Sequence, residues 1–393
     1  MTMRSRQPVV LAGMLSASFF ASSGRVLSGA EPTVNWVNGV GNSLSQPSDF
    51  YGSKEALRIA ETVLLYQRDN GGWPKNYDRA RELTNGEKQK IGSQKKQNDA
   101  TIDNGSTHSE VRYLAKVYNT SRDERQKQAF TDGVEFLLKA QYENGGWPQS
   151  YPNASGYAKH ITFNDDVMIG VMTALRDIAH DRASYSFVDA ELRTRCAEAV
   201  SKGIGCVLKC QIEVNGRKTA WCAQHDERTL VPRKARSYEL ASISGCESVS
   251  IVRFLMEIDK PTPEVIQAVQ GAVEWFDTAK LTGIRQIIQK EDNSTPKGWD
   301  KVVVTDLSAP PIWARFYEIG AITPIFCSRD GVPRATLAEI SYERRNRYSW
   351  LGYYATDLLA KEYPAWQKRW MPRDNVLQES AEGQHNQGVQ ATR

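Results

Sequence analysis

Asn70-Gly-Gly-Trp-Pro74 and Asn144-Gly-Gly-Trp-Pro148 are two copies of the same pentapeptide. Each copy follows a helix-like segment that ends in glutamine, at Gln67 and at Gln141. A third, degraded copy runs from Gln211 to Trp221, and the three glutamines are 74 and then 70 residues apart. Because each copy of this long repeat closes a helix, the sequence predicts a stack of helix pairs.

The segments around the repeats carry apolar residues at helical spacing. The predicted helices cover 54–67, 106–118, 128–142, a segment that begins at 164, 191–211, about 239–257, about 262–278 and about 347–361. The charged segment 80–100 has no apolar periodicity, so we expect an exposed loop there. Residues 300–332 are typical of loops and short strands. Glycine after a helix favours a left-handed cap.

The bulk composition is that of a globular protein in solution. The 393 residues are 40% hydrophobic and 24% charged, and the net charge of +4 is too small to indicate a nucleic-acid partner. The ten tryptophans predict either flat sugar-binding surfaces or core filling, with about even weight. Six cysteines permit disulfides in an exported protein, but their spacing neither reveals a pairing nor makes a zinc site.

The N-terminus has the layout of a secretory signal peptide. Arg4 and Arg6 precede an apolar run at 9–21, and small residues follow. We therefore expect a signal peptide at 1–30 and a secreted or periplasmic protein without stable membrane insertion, although a disordered N-terminal tail is an alternative. After it we expect a polar lead-in at 31–50, one catalytic domain at 51–372 and a disordered tail at 373–393.

Acidic and amide side chains occupy equivalent places in two of the repeats. Asp103 and Asn104 precede one predicted helix, and Asn164, Asp165 and Asp166 precede another. Equivalent loops of a helical array emerge on the same face, so these carboxylates can converge and bind a hard cation such as Ca²⁺. Simple N-capping of the two helices explains the same residues and remains an alternative.

A dense polar segment runs from Trp221 to Arg236 and precedes a predicted helix. Backbone amides at a helix start, together with several arginines, form a surface that binds carboxylates. The alternative is a solvated basic loop, although Trp221 and Cys222 argue against full exposure.

Two further arginines, Arg315 and Arg329, lie among aromatic and apolar residues, where an unpaired charge is costly. Each therefore needs a partner. The candidates are a structural carboxylate, such as Glu318 or Asp330, and an anionic ligand.

Taken together, several motifs resemble those of family 10 polysaccharide lyases, the pectate lyases of α/α-toroid type. The resemblance covers about residues 50–370 and rests on these motifs: Asn70-Gly-Gly-Trp-Pro74, Thr101-Ile-Asp-Asn-Gly-Ser-Thr107, Ile161-Thr-Phe-Asn-Asp165, Trp221-Cys-Ala-Gln-His225, Ala235-Arg-Ser-Tyr-Glu239, Arg315-Phe-Tyr-Glu318 and Arg329-Asp-Gly331. It implies an all-α fold, an incomplete (α/α) toroid with a few short strands and long loops. It also implies calcium-dependent β-elimination of α-1,4-linked polygalacturonate, which gives 4,5-unsaturated oligogalacturonides.

The resemblance also assigns roles to individual residues. It implies that Arg236 is the Brønsted base and that Asp103 and Asp165 lie at the calcium and catalytic centre. The residues implied to contact substrate are Arg315, Arg329, Asn104 and Lys202. The expected partner is polygalacturonate, and we expect a monomer.

The proposed chemistry explains why these residue types are useful. The C5 proton of galacturonate is adjacent to a carboxylate, and its removal creates an enolate-like dianion. Ca²⁺ and arginine side chains can neutralise that growing charge. An arginine side chain has a pKa far above neutral pH, so an arginine base predicts an alkaline optimum and a need for neighbouring positive charge.

Three other functional classes are open at this point. A glycoside hydrolase on the same fold would use Asp103 and Asp165 as its acidic pair. A terpene cyclase is suggested by the glutamine–tryptophan repeat, but its acidic DDxxD or DxDD motif is not in the sequence. A non-catalytic pectin-binding module is the third.

Overall fold

The computed structural model describes residues 34–37, 40–290 and 295–377. The predicted signal peptide at 1–30 and residues 378–393 of the predicted tail lie outside the described residues. The α-helices are α1 (Lys54–Tyr66), α2 (Asn85–Gly92), α3 (His108–Ser121), α4 (Glu124–Lys139), α5 (Val167–His180), α6 (Ala190–Cys210), α7 (Glu247–Met256), α8 (Pro263–Ala279), α9 (Tyr342–Arg347) and α10 (Tyr363–Trp370).

The strands are short and form two-stranded antiparallel pairs. They are β1 (Trp36–Val37), β2 (Val40–Gly41), β3 (Ile161–Thr162), β4 (Glu213–Val214), β5 (Arg217–Lys218), β6 (Gln224–His225), β7 (Ile243–Ser244), β8 (Ile284–Lys290), β9 (Trp299–Thr305), β10 (Trp313–Ala314), β11 (Phe316–Tyr317), β12 (Phe326–Cys327), β13 (Pro333–Arg334) and β14 (Leu351–Gly352). The longest pair is the β8–β9 hairpin.

The long helices form two layers. Helices α3, α5 and α7 pack side by side in an inner layer, and α1, α4, α6 and α8 form an outer layer around them. Each inner helix also packs on the outer helix that follows it in the chain. This alternation is that of an incomplete (α/α) toroid, so the predicted fold class is confirmed.

The repeated glutamines join neighbouring units of the array. The Gln67 amide nitrogen donates to the carbonyl of Gly71 at 2.9 Å, inside its own turn, and to that of Ala129 at 2.8 Å, on the next outer helix. Gln141 repeats this pattern with the carbonyls of Gly145 and Ala199, and Gln211 with those of Thr219 and Ala268. The predicted repeat is therefore a repeated pair of hydrogen bonds between units.

The tryptophans of the repeat close the ends of the outer helices. The indole of Trp73 donates to the carbonyl of Val63 in α1 at 2.8 Å. The later copies pair Trp147 with Leu137, Trp221 with Val207 and Trp313 with Phe276, each at 2.8 Å. Trp313 therefore marks a fourth copy, which the sequence did not reveal because Lys280 replaces its glutamine and the β8–β9 hairpin separates Lys280 from Trp313.

Glycine is required in the turns but not as a helix cap. Gly71 and Gly145 have φ values of 92° and 93°, and a Cβ atom there would lie 2.3 Å from the Asp132 carbonyl or 2.1 Å from the Lys202 carbonyl. Helix α1 ends at Tyr66 with Gln67 in an extended conformation as its C-cap. The predicted left-handed glycine cap is therefore wrong, since the glycine serves a close approach between units instead.

Three predicted elements differ from the structure. The segment 80–100 contains helix α2, which begins with a capping box formed by Thr84 and Glu87 and buries only Ile91, so it has no apolar stripe to detect. The predicted helix at 239–257 begins only at 247, because β7 pairs with β11 before it. The predicted helix at 347–361 is instead α9, strand β14 and a π-helical turn at Leu358–Glu362.

The core absorbs most of the tryptophans. Eight of the ten are buried, and Trp299 and Trp370 are partly buried, so the core-filling interpretation applies. Trp36 packs on Tyr113 with a 4.7 Å ring separation, which shows that part of the lead-in belongs to the core.

All six cysteines are free thiols, and the sulfurs of Cys206 and Cys210 are 4.0 Å apart. Within the described residues, no helix combines the length and apolarity needed to cross a membrane.

Candidate active site

Two short turns bring the predicted acidic residues together at the start of the inner helices. The turns Asp103–Gly105 and Asn164–Asp166 contact each other and lead into α3 and α5. Each turn has a left-handed residue at its centre, Asn104 with φ of 53° and Asp165 with φ of 52°. The two repeats therefore build one local conformation twice.

The side chains of these turns do not cap the helices. The N-cap of α3 is Thr107 and that of α5 is Asp166, and neither accepts a capping hydrogen bond through its side chain. Capping by Asp103, Asn104, Asn164 or Asp165 is therefore wrong as an explanation of these residues. Their side chains belong to a polar site.

Asp103 has one carboxylate oxygen that is satisfied and one that is not. Its Oδ2 pairs with the ammonium group of Lys75, while its Oδ1 is buried and has no hydrogen-bond partner among the described residues. A buried acceptor without a partner is costly, so an orphaned carboxylate oxygen indicates a missing donor or cation. Asp103 therefore has the chemistry of a cation ligand.

Arg315 crosses the site and joins it to Glu247, the first residue of α7. Its Nη2 atom pairs with Glu247 and lies 3.2 Å from the Asn164 amide oxygen and 3.8 Å from an Asp165 oxygen. Burial alone would lower the pKa of Arg315, but the Glu247 carboxylate, together with Tyr348, Cys246 and Tyr354, holds the pKa above its usual range. The partner predicted from the sequence, Glu318, is wrong.

The backbone around Arg315 is fixed by short strands on both sides. β10 pairs with β14 immediately before this residue, and β11 pairs with β7 immediately after it. The amide of Arg315 also donates to the Trp350 carbonyl at 2.7 Å. The guanidinium therefore extends from a rigid support towards the two turns.

Asp165 lies in a recess with other carboxylates. Desolvation raises its pKa, Arg315 opposes the rise, and the nearby charges of Glu247 and Asp103 add to it. Its side chain remains 44% exposed. The recess has a volume of about 310 Å³, and its polar lining includes Asp165, Asp166, Glu247, Ser250, Arg253, Arg315 and Tyr354. Like charges that oppose each other favour a cation or a proton between them.

Arg236 is held by a tight turn that ends at Glu239. The Glu239 amide donates to the Arg236 carbonyl at 2.9 Å, and the Arg236 Nε donates to a Glu239 oxygen at 2.7 Å. This hydrogen bond and the Glu239 charge raise the pKa of Arg236 above its usual value. Helix α7 begins eight residues after Glu239, at residue 247, so the predicted arginine surface at a helix start is wrong.

Two tyrosine rings bring the three predicted arginines into one cluster. The Tyr348 ring lies 4.8 Å from the Cζ of Arg315 and 5.8 Å from that of Arg236. The Tyr238 ring lies 5.1 Å from the Cζ of Arg236 and 5.6 Å from that of Arg329. The two rings meet edge to face at 5.4 Å. We refer to these five residues as the arginine–tyrosine cluster.

Arg329 lies at the exposed end of this cluster. Its side chain is 63% exposed and pairs with Glu343 at 3.1 Å. The predicted partner Asp330 binds Arg334 instead. The Arg329 guanidinium is therefore both accessible and close to the other arginines.

The structure does not bring Lys202 into this site. Lys202 lies on α6 in the outer layer with an exposed side chain, and its carbonyl approaches Gly145. None of the hydrogen bonds and ion pairs of the described site residues involves the Lys202 side chain.

The first part of the segment that leads to Arg236 is structural. Trp221 and Cys222 are buried, as the sequence predicted, and the buried His225 accepts from the Cys222 amide at 3.1 Å. Asp226 pairs with Arg233 at 2.8 Å and caps its own turn through backbone amides. The first half of the segment is therefore structural, whereas Arg228, Arg233 and Lys234 in its second half are exposed, as the solvated-loop alternative predicts.

One group of three potential metal-ligand side chains occurs among the described residues, and it is not the Asp103 site. His160, Asp226 and Glu227 have ligand atoms within 4.8 Å of one another. Glu227 pairs with Lys159 at 2.9 Å and with His160 at 3.0 Å, and Asp226 pairs with Arg233. Because protein cations already satisfy these carboxylates, the group is a salt-bridge network.

Sequence reasoning missed Lys75, Glu247 and Tyr348 as parts of the site. Lys75 directly follows a repeated Trp-Pro pair, which is a signal that could have identified it. Glu247 and Tyr348 have no such local signal, since their partners Arg315 and Arg236 lie far away in the chain.

Comparison with known proteins now identifies the class. Residues 67–359 match the family described as pectic acid lyase. A family 10 polysaccharide lyase from Cellvibrio cellulosa, solved as an aspartate-to-alanine variant in complex with trigalacturonic acid, is 34% identical with a TM-score of 0.69 and matches 82% of this chain and 96% of its own. A second structure of a family 10 lyase from the same organism matches equally well over 94% of its own chain. No curated protein matched.

The chain belongs to the pectic acid lyase family. It is a polysaccharide lyase with pectate lyase activity, and its family points in general to a metal-dependent enzyme. The terpene cyclase and pectin-binding alternatives are therefore set aside.

Proposed function

We propose that the protein cleaves α-1,4-linked polygalacturonate by β-elimination, with Arg236 as the base and Ca²⁺ at Asp103 and Asp165. The observation that carries this proposal is the position of the arginine–tyrosine cluster beside the acidic turns. Arg315, a member of the cluster, lies over the Tyr348 ring and also reaches Asp165. A polyanionic chain needs cationic groups for its carboxylates and a counter-charge at the reacting sugar. The complex of the similar lyase with trigalacturonic acid supports this substrate class.

The residues present fit a hard cation. Asp103 offers a buried oxygen without a partner among the described residues, and Asp165 offers a half-exposed carboxylate whose pKa is raised by desolvation and by its acidic neighbours. Oxygen ligands of this type suit Ca²⁺, which accepts a variable number of them. Within the part of the chain that the structure describes, Asp103 and Asp165 do not belong to a group of three closely spaced ligands, so substrate carboxylates and water would complete the shell.

Each arginine has a separate role in the proposed reaction. Arg315 and Arg329 bind substrate carboxylates, which arginine can do with two parallel hydrogen bonds. Arg236, in its neutral form, removes the C5 proton as the C4–oxygen bond breaks. Bound Ca²⁺ supplies Lewis-acid neutralisation of the carboxylate next to C5. Asn104, half-buried beside Asp103, is proposed to bind substrate, and the structure gives no support for extending this role to Lys202.

An absorbance assay tests the reaction type. The protein is incubated with polygalacturonate in buffer containing Ca²⁺, and formation of the 4,5-unsaturated product is followed in the ultraviolet. We expect absorbance to rise with time, to stop with excess chelator and to resume when Ca²⁺ is restored. New reducing ends without ultraviolet absorbance would indicate hydrolysis through Asp103 and Asp165 and would overturn the proposal.

Arg236→Ala tests the base. We expect loss of turnover while affinity for trigalacturonate, measured by calorimetry, stays close to the wild-type value. Retention of turnover would remove Arg236 from the base role, although calcium-dependent elimination itself would still stand.

We also propose export to the periplasm or the extracellular medium as a monomer. The support is the N-terminal sequence, with Arg4 and Arg6 before an apolar run. Fractionation of expressing cells and mass spectrometry of the mature N-terminus test this, and an uncleaved cytoplasmic product would contradict it.

A further inference from the structure

We propose that Glu239 and Tyr348 are positioning residues that hold the Arg236 guanidinium so that its Nη1 nitrogen is the one that faces substrate. This inference rests on the proposed role of Arg236 as the base. It adds two residues to the reaction and names the atom that receives the proton.

The first support is the pair of side-chain hydrogen bonds that the Arg236 guanidinium donates to Glu239. One Glu239 oxygen accepts from the Arg236 Nε at 2.7 Å and from its backbone amide at 3.2 Å, and the other accepts from Nη2. This is the two-pronged arginine–carboxylate geometry, which fixes the plane of the guanidinium. Nη1 makes no hydrogen bond to the described residues, so it is the nitrogen left for a ligand.

The second support is the way in which Tyr348 fixes Glu239. The Tyr348 hydroxyl donates to the Glu239 oxygen that also pairs with Nη2, at 2.6 Å. The Tyr348 ring is wedged against Trp350, with centroids 5.0 Å apart, and stacks with Phe316 at 6.3 Å. Tyr348 is therefore held by the core, and it transmits that rigidity to Glu239 and then to Arg236.

The same ring aligns Arg236 with the acidic turns. Arg315 lies over the Tyr348 ring at 4.8 Å and reaches towards Asp165 with its Nη2 atom at 3.8 Å. One aromatic side chain therefore contacts both the proposed base and the arginine that reaches the proposed metal site. A rotation of Tyr348 would change both positions together.

The arrangement carries an electrostatic cost. The Glu239 carboxylate favours the charged guanidinium, which raises the pKa of Arg236 although a base must be neutral. The other groups facing Arg236 are the Tyr238 and Tyr348 rings and, on α9, the guanidinium of Arg344. Precise orientation can lower a barrier by more than a smaller neutral fraction of the base raises it. Glu239 therefore contributes orientation at the expense of the neutral fraction of Arg236.

The proton balance of the step is simple. Neutral Arg236 takes the C5 proton on Nη1 and becomes a guanidinium that Glu239 stabilises. The C5–hydrogen bonding electrons form the C4–C5 double bond as the C4–oxygen bond breaks, and solvent protonates the leaving oxygen. Return of the Nη1 proton to water completes the cycle.

The test compares Tyr348→Phe and Glu239→Gln with the wild type and with Tyr342→Phe. Tyr342 is a matched control, because its hydroxyl also donates one 2.6 Å hydrogen bond, to the Trp299 carbonyl, away from the cluster. We expect Tyr348→Phe to lower kcat about tenfold or more with little change in KM, as loss of orientation does. We expect Glu239→Gln to lower kcat. We also expect the limb of its pH profile that rises as Arg236 loses its proton to move towards lower pH, because Glu239 no longer raises the pKa of Arg236.

Equal kcat values and pH profiles for all four proteins would overturn the inference, provided that Arg236→Ala is inactive. Activity in Arg236→Ala would overturn the proposed base and the inference together. Thermal melting separates misfolding from mispositioning. If Glu239→Gln melts at a temperature far below that of the wild type, the inference is judged from the kcat and KM of the folded Tyr348→Phe variant.

Discussion

The ammonium group of Lys75 pairs with Asp103, the same carboxylate whose other oxygen is buried without a partner. Lys75 therefore occupies one side of the proposed cation ligand with the protein's own positive charge. A metal ion at Asp103 would have to displace this ammonium group or share the carboxylate with it.

We expect Lys75→Met to tighten calcium binding. A partly exposed ion pair contributes up to about 1 kcal/mol, so removing the competing cation would lower the Kd roughly fivefold. Calorimetric titration of the protein with Ca²⁺ measures this without any activity assay. Lys88→Met, an exposed lysine of α2, is the control and would leave the Kd unchanged. Weaker calcium binding by Lys75→Met would contradict the competition.

Removing Glu247 would destabilise the fold. Arg315 is mostly buried and pairs with the buried Glu247, so Glu247→Ala leaves a charge without its main partner. Loss of one partner of a buried pair costs about 3–5 kcal/mol, whereas loss of an exposed partner costs less than about 1 kcal/mol. Glu61→Ala, which breaks the exposed pair with Arg125, is the control. Urea unfolding of both variants tests the difference, and equal losses would show that burial does not matter here.

The turn glycines can be tested by a matched pair of substitutions. Gly145→Ala would place a Cβ atom 2.1 Å from the Lys202 carbonyl at a residue with φ of 93°, so we expect a loss of about 2–3 kcal/mol in unfolding free energy. Gly205→Ala on α6 meets nothing within 4 Å, and helix propensity predicts a gain of about 0.5–1 kcal/mol. A stable Gly145→Ala variant would mean that neighbouring units can separate at little cost.

Because His225 is buried, we expect the free energy of unfolding to fall in mild acid. Burial lowers its pKa from 6.5 to about 4, so the folded protein keeps His225 neutral while the unfolded chain protonates it. This contribution is complete above pH 6.5 and is lost as the pH falls towards 4, by about 1.4 kcal/mol per unit. Unfolding free energies measured from pH 7 to pH 5 would show a shallower fall in His225→Gln than in the wild type. His180→Gln, at an exposed residue, would retain the wild-type slope.

The sequence revealed what was local and repeated. The glutamines at 67, 141 and 211 lie one or two residues beyond their helices, close to the predicted ends, because the same amide hydrogen bond between units is made in all three. The fourth unit was not predicted from the sequence. Its tryptophan, Trp313, keeps the indole hydrogen bond to Phe276, but the glutamine of the repeat is absent. Helix α2 was not predicted because it is mostly exposed, so its sequence lacks the apolar periodicity that indicates a helix.

The site was predictable only in part for the same physical reason. Asp103 and Asp165 lie in equivalent turns, so repetition alone places them together. The partners of Arg315 and Arg329 were wrong because Glu247 and Glu343 become neighbours only through the β7–β11 pairing and the packing of α9. Sequence separation hides such pairs, since nothing in the residues beside an arginine indicates which distant carboxylate the fold will deliver.

The glutamine hydrogen bonds also bear on how the array is terminated. Each of the three amides binds a carbonyl of the following outer helix, so every unit is completed by its successor. At the end of α8 this connector is replaced by Lys280, whose ammonium group binds Asp277 in its own helix. After α8, among the described residues, the side chain at the glutamine position therefore binds its own helix instead of a following one. Extending the array by another helix pair would therefore begin with residue 280.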